Sequence, residues 1–329
     1  MLTNRLIIDG TDAYIEYGLY MKENALAALL AWPQFKKVTT NDWHEEDGLE
    51  ADLSDPNSEG RPFLDGRNVQ LQFHLGHADS PSKARALIST LKSTVYHTFA
   101  FKELGISYQL RYASNGAFSM NEAFDTITLT MAEDSVTKPA IGNTVTLNFA
   151  NNMTETFTIA VPDTPIVHLS GYLLDGIDMA RFGAYVTKGT LDSIQKAGTV
   201  KENMKRNVSV QNGIIYGTTA TPKTKPQDVT LNMVIHASSV VDFWKKWYAL
   251  FAKLMASGAH TMYGGGKRLS CYYKSCKPNK FYLLPDGGVW CDFSVTLAVL
   301  KDLNIQMLGT VINNTPYAIA DNNHIVIAI

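Results

Sequence analysis

The stretch Leu6-Ile7-Ile8-Asp9-Gly10-Thr11-Asp12-Ala13-Tyr14-Ile15-Glu16-Tyr17-Gly18-Leu19-Tyr20 decides the fold, because the chain writes it twice. About 165 residues later stands Tyr172-Leu173-Leu174-Asp175-Gly176-Ile177-Asp178-Met179-Ala180-Arg181-Phe182-Gly183-Ala184-Tyr185. Both copies read as an apolar strand, a turn at Asp-Gly, a second Asp two residues on, and then aromatic-Gly-x-Tyr. A long internal repeat fixes the architecture before any site is sought, since each copy has to build the same unit.

Outward from these openings the two halves stay in step. Apolar Ala25 to Leu30 has its counterpart in Leu191 to Ile194. Alternating segments Lys36 to Trp43 and Met204 to Val210 come next, each leading to a Gly-containing pair, Asp47-Gly48 and Asn212-Gly213. Such pairs favour a two-residue type I′ turn, where both residues need positive φ. The return strands are Leu49 to Leu53 and Ile214 to Thr218. Strict alternation then predicts strands over Asn68 to Leu75 and Asp228 to Ile235, each feeding a helix. Ser80 is the expected N-cap of the first helix, with Pro81 at its first position; Ser238 or Ser239 caps the second, and Gly258 stops it. In the second helix Trp244, Tyr248 and Phe251 form an apolar stripe, with Val241 and Met255. So much aromatic bulk predicts burial against more than its own sheet. Thr126 to Leu129 matches Ser294 to Leu297, and each half closes with a hairpin turning at Asn151-Asn152 or Asn322-Asn323. The expected fold is α+β, mainly antiparallel β, in two tandem sandwich or split-barrel units with one flanking helix each, 1–166 and 167–329.

Composition narrows the function classes. Hydrophobic residues make up 45%, ample for two cores, and the net charge of −2 gives no basic surface for nucleic acid. Apolar runs are far shorter than the ~20 residues of a membrane span. Met1 to Arg5 leads into the first strand without a signal-peptide layout, so Cys271, Cys276 and Cys291 are expected to be reduced thiols in a protein made inside a cell.

Motifs that carry chemistry are weak. Gly264-Gly265-Gly266-Lys267 lacks phosphate-loop spacing and reads as a hairpin turn. His74 and His77 have no further metal ligand at a recognisable spacing, and the acidic run Asp42 to Asp47 does not fit an EF-hand. The expectation is no catalytic residue, no cofactor and no metal.

An apolar-apolar-Asp-Gly-x-Asp opening, then aromatic-Gly, then a strand pair around Asp-Gly, resembles bacteriophage distal tail proteins. The order Val69 to Leu75, Ser80 to Leu91, Thr98 to Phe101 fits the same picture. That family belongs to the wider tail-tube and baseplate-hub fold, a β-sandwich or split barrel flanked by a helix. Two successive ring-type units are similar to hub proteins of contractile tails, in which three subunits supply six tube-like domains. The resemblance implies a non-enzymatic virion protein, assembled in the host cytoplasm, whose copies form a trimer with pseudo-sixfold symmetry or a hexamer. Its partners would be the tail tube on one side and hub or receptor-binding proteins on the other, around a channel through which DNA passes without specific binding. Asp47, Gly48, Asn212 and Gly213 would be hairpin tips reaching neighbouring subunits. The alternative is a two-domain carbohydrate-binding module presenting its aromatic residues to sugar.

Overall fold

A computed structural model of the chain describes residues 3–22, 25–36, 38–41, 48–53, 63–76, 79–120, 125–150, 153–163, 168–196, 198–201, 205–207, 212–216, 223–225, 227–303, 319–320 and 326–327. The fold is α+β and mainly antiparallel, and it includes a half-barrel. In the first half the strands are β1 (Leu6–Ile8), β2 (Thr11–Asp12), β3 (Leu19–Met21), β4 (Thr39–Asn41), β5 (Glu50–Asp52), β6 (Arg67–Leu75), β7 (His97–Phe101), β8 (Ile106–Ser119), β9 (Asp125–Glu133), β10 (Thr144–Asn148) and β11 (Thr154–Thr158). The helices α1 (Ala13–Tyr17), α2 (Ala27–Leu30) and α3 (Ser80–Leu91) lie between them. In the second half come β12 (Leu173–Leu174), β13 (Ile177–Asp178), β14 (Ala184–Val186), β15 (Thr199–Val200), β16 (Lys205–Asn207), β17 (Ile214–Tyr216), β18 (Thr224–Lys225) and β19 (Val229–Ala237). β20 (His260–Gly264), β21 (Lys267–Leu283), β22 (Val289–Asp302), β23 (Ile319–Ala320) and β24 (Val326–Ile327) complete it, with helices α4 (Thr190–Gln195) and α5 (Val240–Leu254).

Two seven-stranded sheets carry the architecture, in the orders β2-β1-β7-β8-β9-β6-β3 and β13-β12-β20-β21-β22-β19-β14. Strand for strand these are the same topology. The openings explain why. Asp9 and Asp175 take positive φ, 49° and 48°, ahead of the left-handed Gly10 and Gly176. The second Asp caps the short helical turn behind it: Asp12 accepts from the N–H groups of Tyr14 and Ile15, and Asp178 accepts from Ala180 N–H. Gly18 and Gly183, both at φ 66°, end these turns and launch β3 and β14. Each unit thus has short helices besides the one long helix expected.

Strand pairing sets the equivalences. Leu19 pairs with Leu75 and Ala184 with Ile235, while Phe73 pairs with Ile127 and Met233 with Phe293. Thr126 to Leu129 therefore stand where Asp292 to Val295 stand, two residues earlier than the sequence match with Ser294 to Leu297. A two-residue slip keeps the same faces inward, so alternation alone cannot detect it.

Helix ends correct two expectations. Ser80 lies inside α3, whose N-cap is Asp79, and its buried hydroxyl donates to Asp125 instead. Ser239 does cap α5, accepting from Asp242 N–H, but the helix ends at Met255, ahead of Gly258. Helix α5 is apolar on two sides. Phe243 and Trp247 face their own sheet, against Phe281 and Phe293 at 5.4 and 4.8 Å between ring centroids. Trp244, Tyr248 and Phe251 face the first unit: Trp32 lies 5.6 Å from both Tyr248 and Phe251, and Phe157 lies 6.2 Å from Tyr248.

Trp244 is 2% exposed, and its indole N–H donates to Leu104 O at 2.8 Å. Replacing it with Ala removes a large buried ring and leaves that carbonyl unpaired. Trp244→Ala is expected to destabilise the chain by about 3–5 kcal/mol in urea unfolding, whereas Trp244→Phe, losing chiefly the hydrogen bond, should cost about 1–2 kcal/mol. A loss below about 1 kcal/mol for the alanine variant would contradict the packing described.

Candidate functional site

The residues with the most specific geometry lie where the two units meet and at the repeated openings. At the junction, Trp32, Phe35, Leu104 and Phe157 of the first unit face Trp244, Tyr248, Phe251 and Tyr273 of the second. Tyr273 OH donates to Trp32 O at 3.0 Å, and Phe35 meets the Tyr273 ring edge-on at 5.8 Å. Both faces contribute to one continuous hydrophobic core. Beside it, a cleft of about 370 Å³ is lined by Leu6, Leu19, Met21 and Phe101 together with Phe281 and Leu283. β3, at one end of the first sheet, and β1, one strand in from the other end, border one cleft, as a strongly curled sheet requires.

Gly48 belongs to this junction. It is buried at φ 94°, its N–H donates to Thr224 O at 3.1 Å, and Leu49 N–H donates to Leu300 O at 2.7 Å. Lys201, 1% exposed, delivers its Nζ to Gly48 O at 2.8 Å. An ammonium this deeply buried needs such an acceptor. A side chain at Gly48 would put its Cβ 2.3 Å from Leu300 O. In the chain by itself, then, Gly48 is held by the second unit of the same molecule. Asn212 and Gly213 are exposed, Gly213 at φ 89°. Asp47 lies outside the described residues.

The two-residue turns expected at these glycines are not formed. Asn41 pairs with Glu50 and Asn207 with Ile214, so eight and six residues separate the paired ends. With loops of that length, Gly48 and Gly213 instead supply positive φ as the chain re-enters the return strand. A two-residue turn of that kind does occur at Gly265-Gly266, both at positive φ, between paired Gly264 and Lys267.

The repeated openings carry a pairing that sequence reading missed. His97 Nδ1 faces Asp9 Oδ2 at 2.6 Å while Thr98 N–H donates to Asp9 Oδ1 at 2.7 Å. In the second unit, His260 Nδ1 faces Asp175 Oδ2 at 2.9 Å, and Thr261 N–H donates to Asp175 Oδ1 at 2.7 Å. The signal was present as His-Thr at both positions, but far in sequence from the Asp. Both imidazoles are buried, 1% and 4% exposed, out of reach of a substrate. The pairs act as clamps that tie each Asp-Gly turn to the start of β7 or β20. Lys253 Nζ adds a 2.8 Å contact to Asp175.

The remaining sequence candidates sit in structural roles. Cys271, Cys276 and Cys291 are free and buried; burial pushes the first two thiols up to about 12 and the third well above its ordinary value. His74 lies in β6 with its ring 5.2 Å from Tyr20, and burial, then Lys22, lowers its pKa. His77 and the run Asp42 to Asp47 lie outside the described residues. Among the described residues no group of three or more His, Cys, Asp or Glu is placed to hold a metal ion, and no helix is long and apolar enough to cross a membrane.

The two glycines and Asp175 can each be tested by substitution. Gly213→Ala, with nothing within 4 Å of its Cβ, is expected to cost about 1–2 kcal/mol in urea unfolding for positive φ alone. Gly48→Ala should cost about 2–4 kcal/mol, because the Leu300 clash adds to the same backbone penalty; equal losses would contradict the junction. Asp175 gives the pH dependence. Burial would raise its pKa, but hydrogen bonds from His260, Lys253 and Thr261 N–H outweigh burial and hold it well below the carboxylate range. With the folded value below the unfolded one, ionised Asp175 stabilises the fold above about pH 4, and that stabilisation is lost as pH falls further. Asp175→Asn is therefore expected to lower the melting temperature at pH 7 and to flatten its decline below about pH 4. Parallel acid limbs for variant and parent would show that Asp175 does not carry the effect.

No protein-family model matches the chain, and no curated protein matches it in sequence.

Proposed function

We propose that the chain is a structural protein of a bacteriophage tail tip, of the distal tail or baseplate-hub kind. Its copies form a ring that joins the tail tube to the tip and encloses the path of the DNA. The observation that carries this reading is the duplication itself: two curled sheets of identical strand order, joined head to tail by a junction in which one unit's hairpin seats on the next unit. A head-to-tail contact differs from a two-fold one in that it can be repeated, and repetition with rotation closes a ring. Three chains would supply six such units, and six chains would supply two rings or one larger one. Joining units side by side also covers sheet edges that would otherwise pair at random. The net charge of −2 suits a channel wall that does not hold DNA.

The carbohydrate-binding alternative loses the α5 stripe as its platform, since Trp244 and Phe251 are buried and Tyr248 is half-buried. What favours it is a different row, His236, Trp290 and Tyr282, aligned across three adjacent strands with Trp290 41% exposed. Light scattering on a sizing column, with negative-stain images of the same peak, separates the readings. The ring reading expects a trimer or hexamer with a central hole. A monomer at high concentration that binds oligosaccharide through Trp290 would overturn it.

A further inference from the structure

The junction inside the chain has a plug and a socket, and the repeat provides a second copy of each. The plug is Gly48-Leu49, ahead of return strand β5; its counterpart is Gly213-Ile214, at the start of return strand β17. The socket is Lys201, Thr224 and Leu300. Lys201 corresponds to Lys36: Lys201 N–H bonds Lys223 O at 2.7 Å, just as Lys36 N–H bonds Phe63 O at 2.8 Å. Thr224 corresponds to Leu64, since Val200 pairs with Thr224 as Phe35 bridges to Leu64. Leu300 corresponds to Asp134, because strand pairing sets Phe293 level with Ile127. The first plug and socket are joined, with Gly48, Lys201 and Leu300 buried. The second pair lies open: Lys36, Asp134, Asn212 and Gly213 are exposed and Leu64 is half-buried.

We infer that the second plug and socket join between two copies of this chain, with Gly213 of one copy entering the Lys36, Leu64 and Asp134 socket of the next. This rests on the ring reading and gives it residues. Lys36 Nζ takes Gly213 O, while the carbonyl oxygens of Leu64 and Asp134 accept from the N–H groups of Gly213 and Ile214. A second observation agrees. Gly48 is a glycine whose Cβ would strike the socket, and the repeat keeps a glycine at Gly213, where a Cβ meets nothing within 4 Å in the single chain. The aromatic half of the junction is not repeated. Ala84 stands on α3 where α5 has Trp244, and the turn holding Leu104 is replaced by Gly265-Gly266. Contacts between chains are therefore the lighter joints, and the two-unit chain is the piece that stays whole.

The test uses the full chain in two versions, Lys36→Cys and Asn212→Cys, mixed when dilute, concentrated and oxidised mildly; the three native cysteines are buried. The expected result is a disulfide-linked dimer containing one copy of each version, which neither version forms alone. Lys36→Glu should weaken self-association by about tenfold or more with its melting temperature unchanged, through loss of a charged hydrogen bond at the interface. Rings that form without the cross-link, and whose mass is unaffected by Lys36→Glu, would overturn this interface and leave the ring reading standing. A chain that stays monomeric and uncross-linked at every concentration would overturn both.

Discussion

Helix α5 has apolar rings on two sides, and each side needs a wall. Its own sheet supplies one, through Phe281 and Phe293; the other is the first unit, through Trp32, Leu104 and Phe157. Large aromatic side chains bury about 150–250 Å² each, so separating the units would expose a surface that water does not tolerate. The rest of the arrangement depends on this constraint. With α5 fixed between the units, the β4–β5 hairpin comes to lie over β18 and the end of β22, and Gly48 lands on Lys201. Instead of two independent domains, the duplication gives a two-unit block with a defined direction.

How far the fold was legible depends on the range of the interactions involved. The repeated opening could be read residue by residue, because the Asp-Gly turn, the capping Asp and the αL glycine all act within a few residues of one another. Alternation in β6 and β19 likewise announced strands buried on one face. The clamps at His97 and His260 were hidden because their carboxylate partners lie 88 and 85 residues away. Ser80 looked like a cap by local chemistry, yet Asp125, 45 residues on, claims its hydroxyl. Hairpin loops were misjudged at Gly48 and Gly213 because a glycine signals positive φ and does not say how long the loop is. The α5 stripe was recognised as apolar; which wall it meets is a tertiary fact.

The two copies have diverged in a complementary way. The first keeps a four-residue turn that offers the Leu104 carbonyl, and the second grows the tryptophan that uses it. Even the clamps are completed differently: His97 turns Nε2 to Leu91 O at 3.1 Å, whereas in the second unit Lys253 joins the carboxylate. Such changes fit a chain in which one unit–unit contact is permanent and any other is made during assembly.

Whether the units meet head to tail around a ring can be seen in a reconstruction of the assembled particle by electron cryo-microscopy. The expected result is a closed ring in which first and second units alternate, every hairpin glycine seated beside a lysine of the next unit, Gly48 at Lys201 within chains and Gly213 at Lys36 between them. A two-fold dimer in which the same surface of each copy faces itself would contradict it.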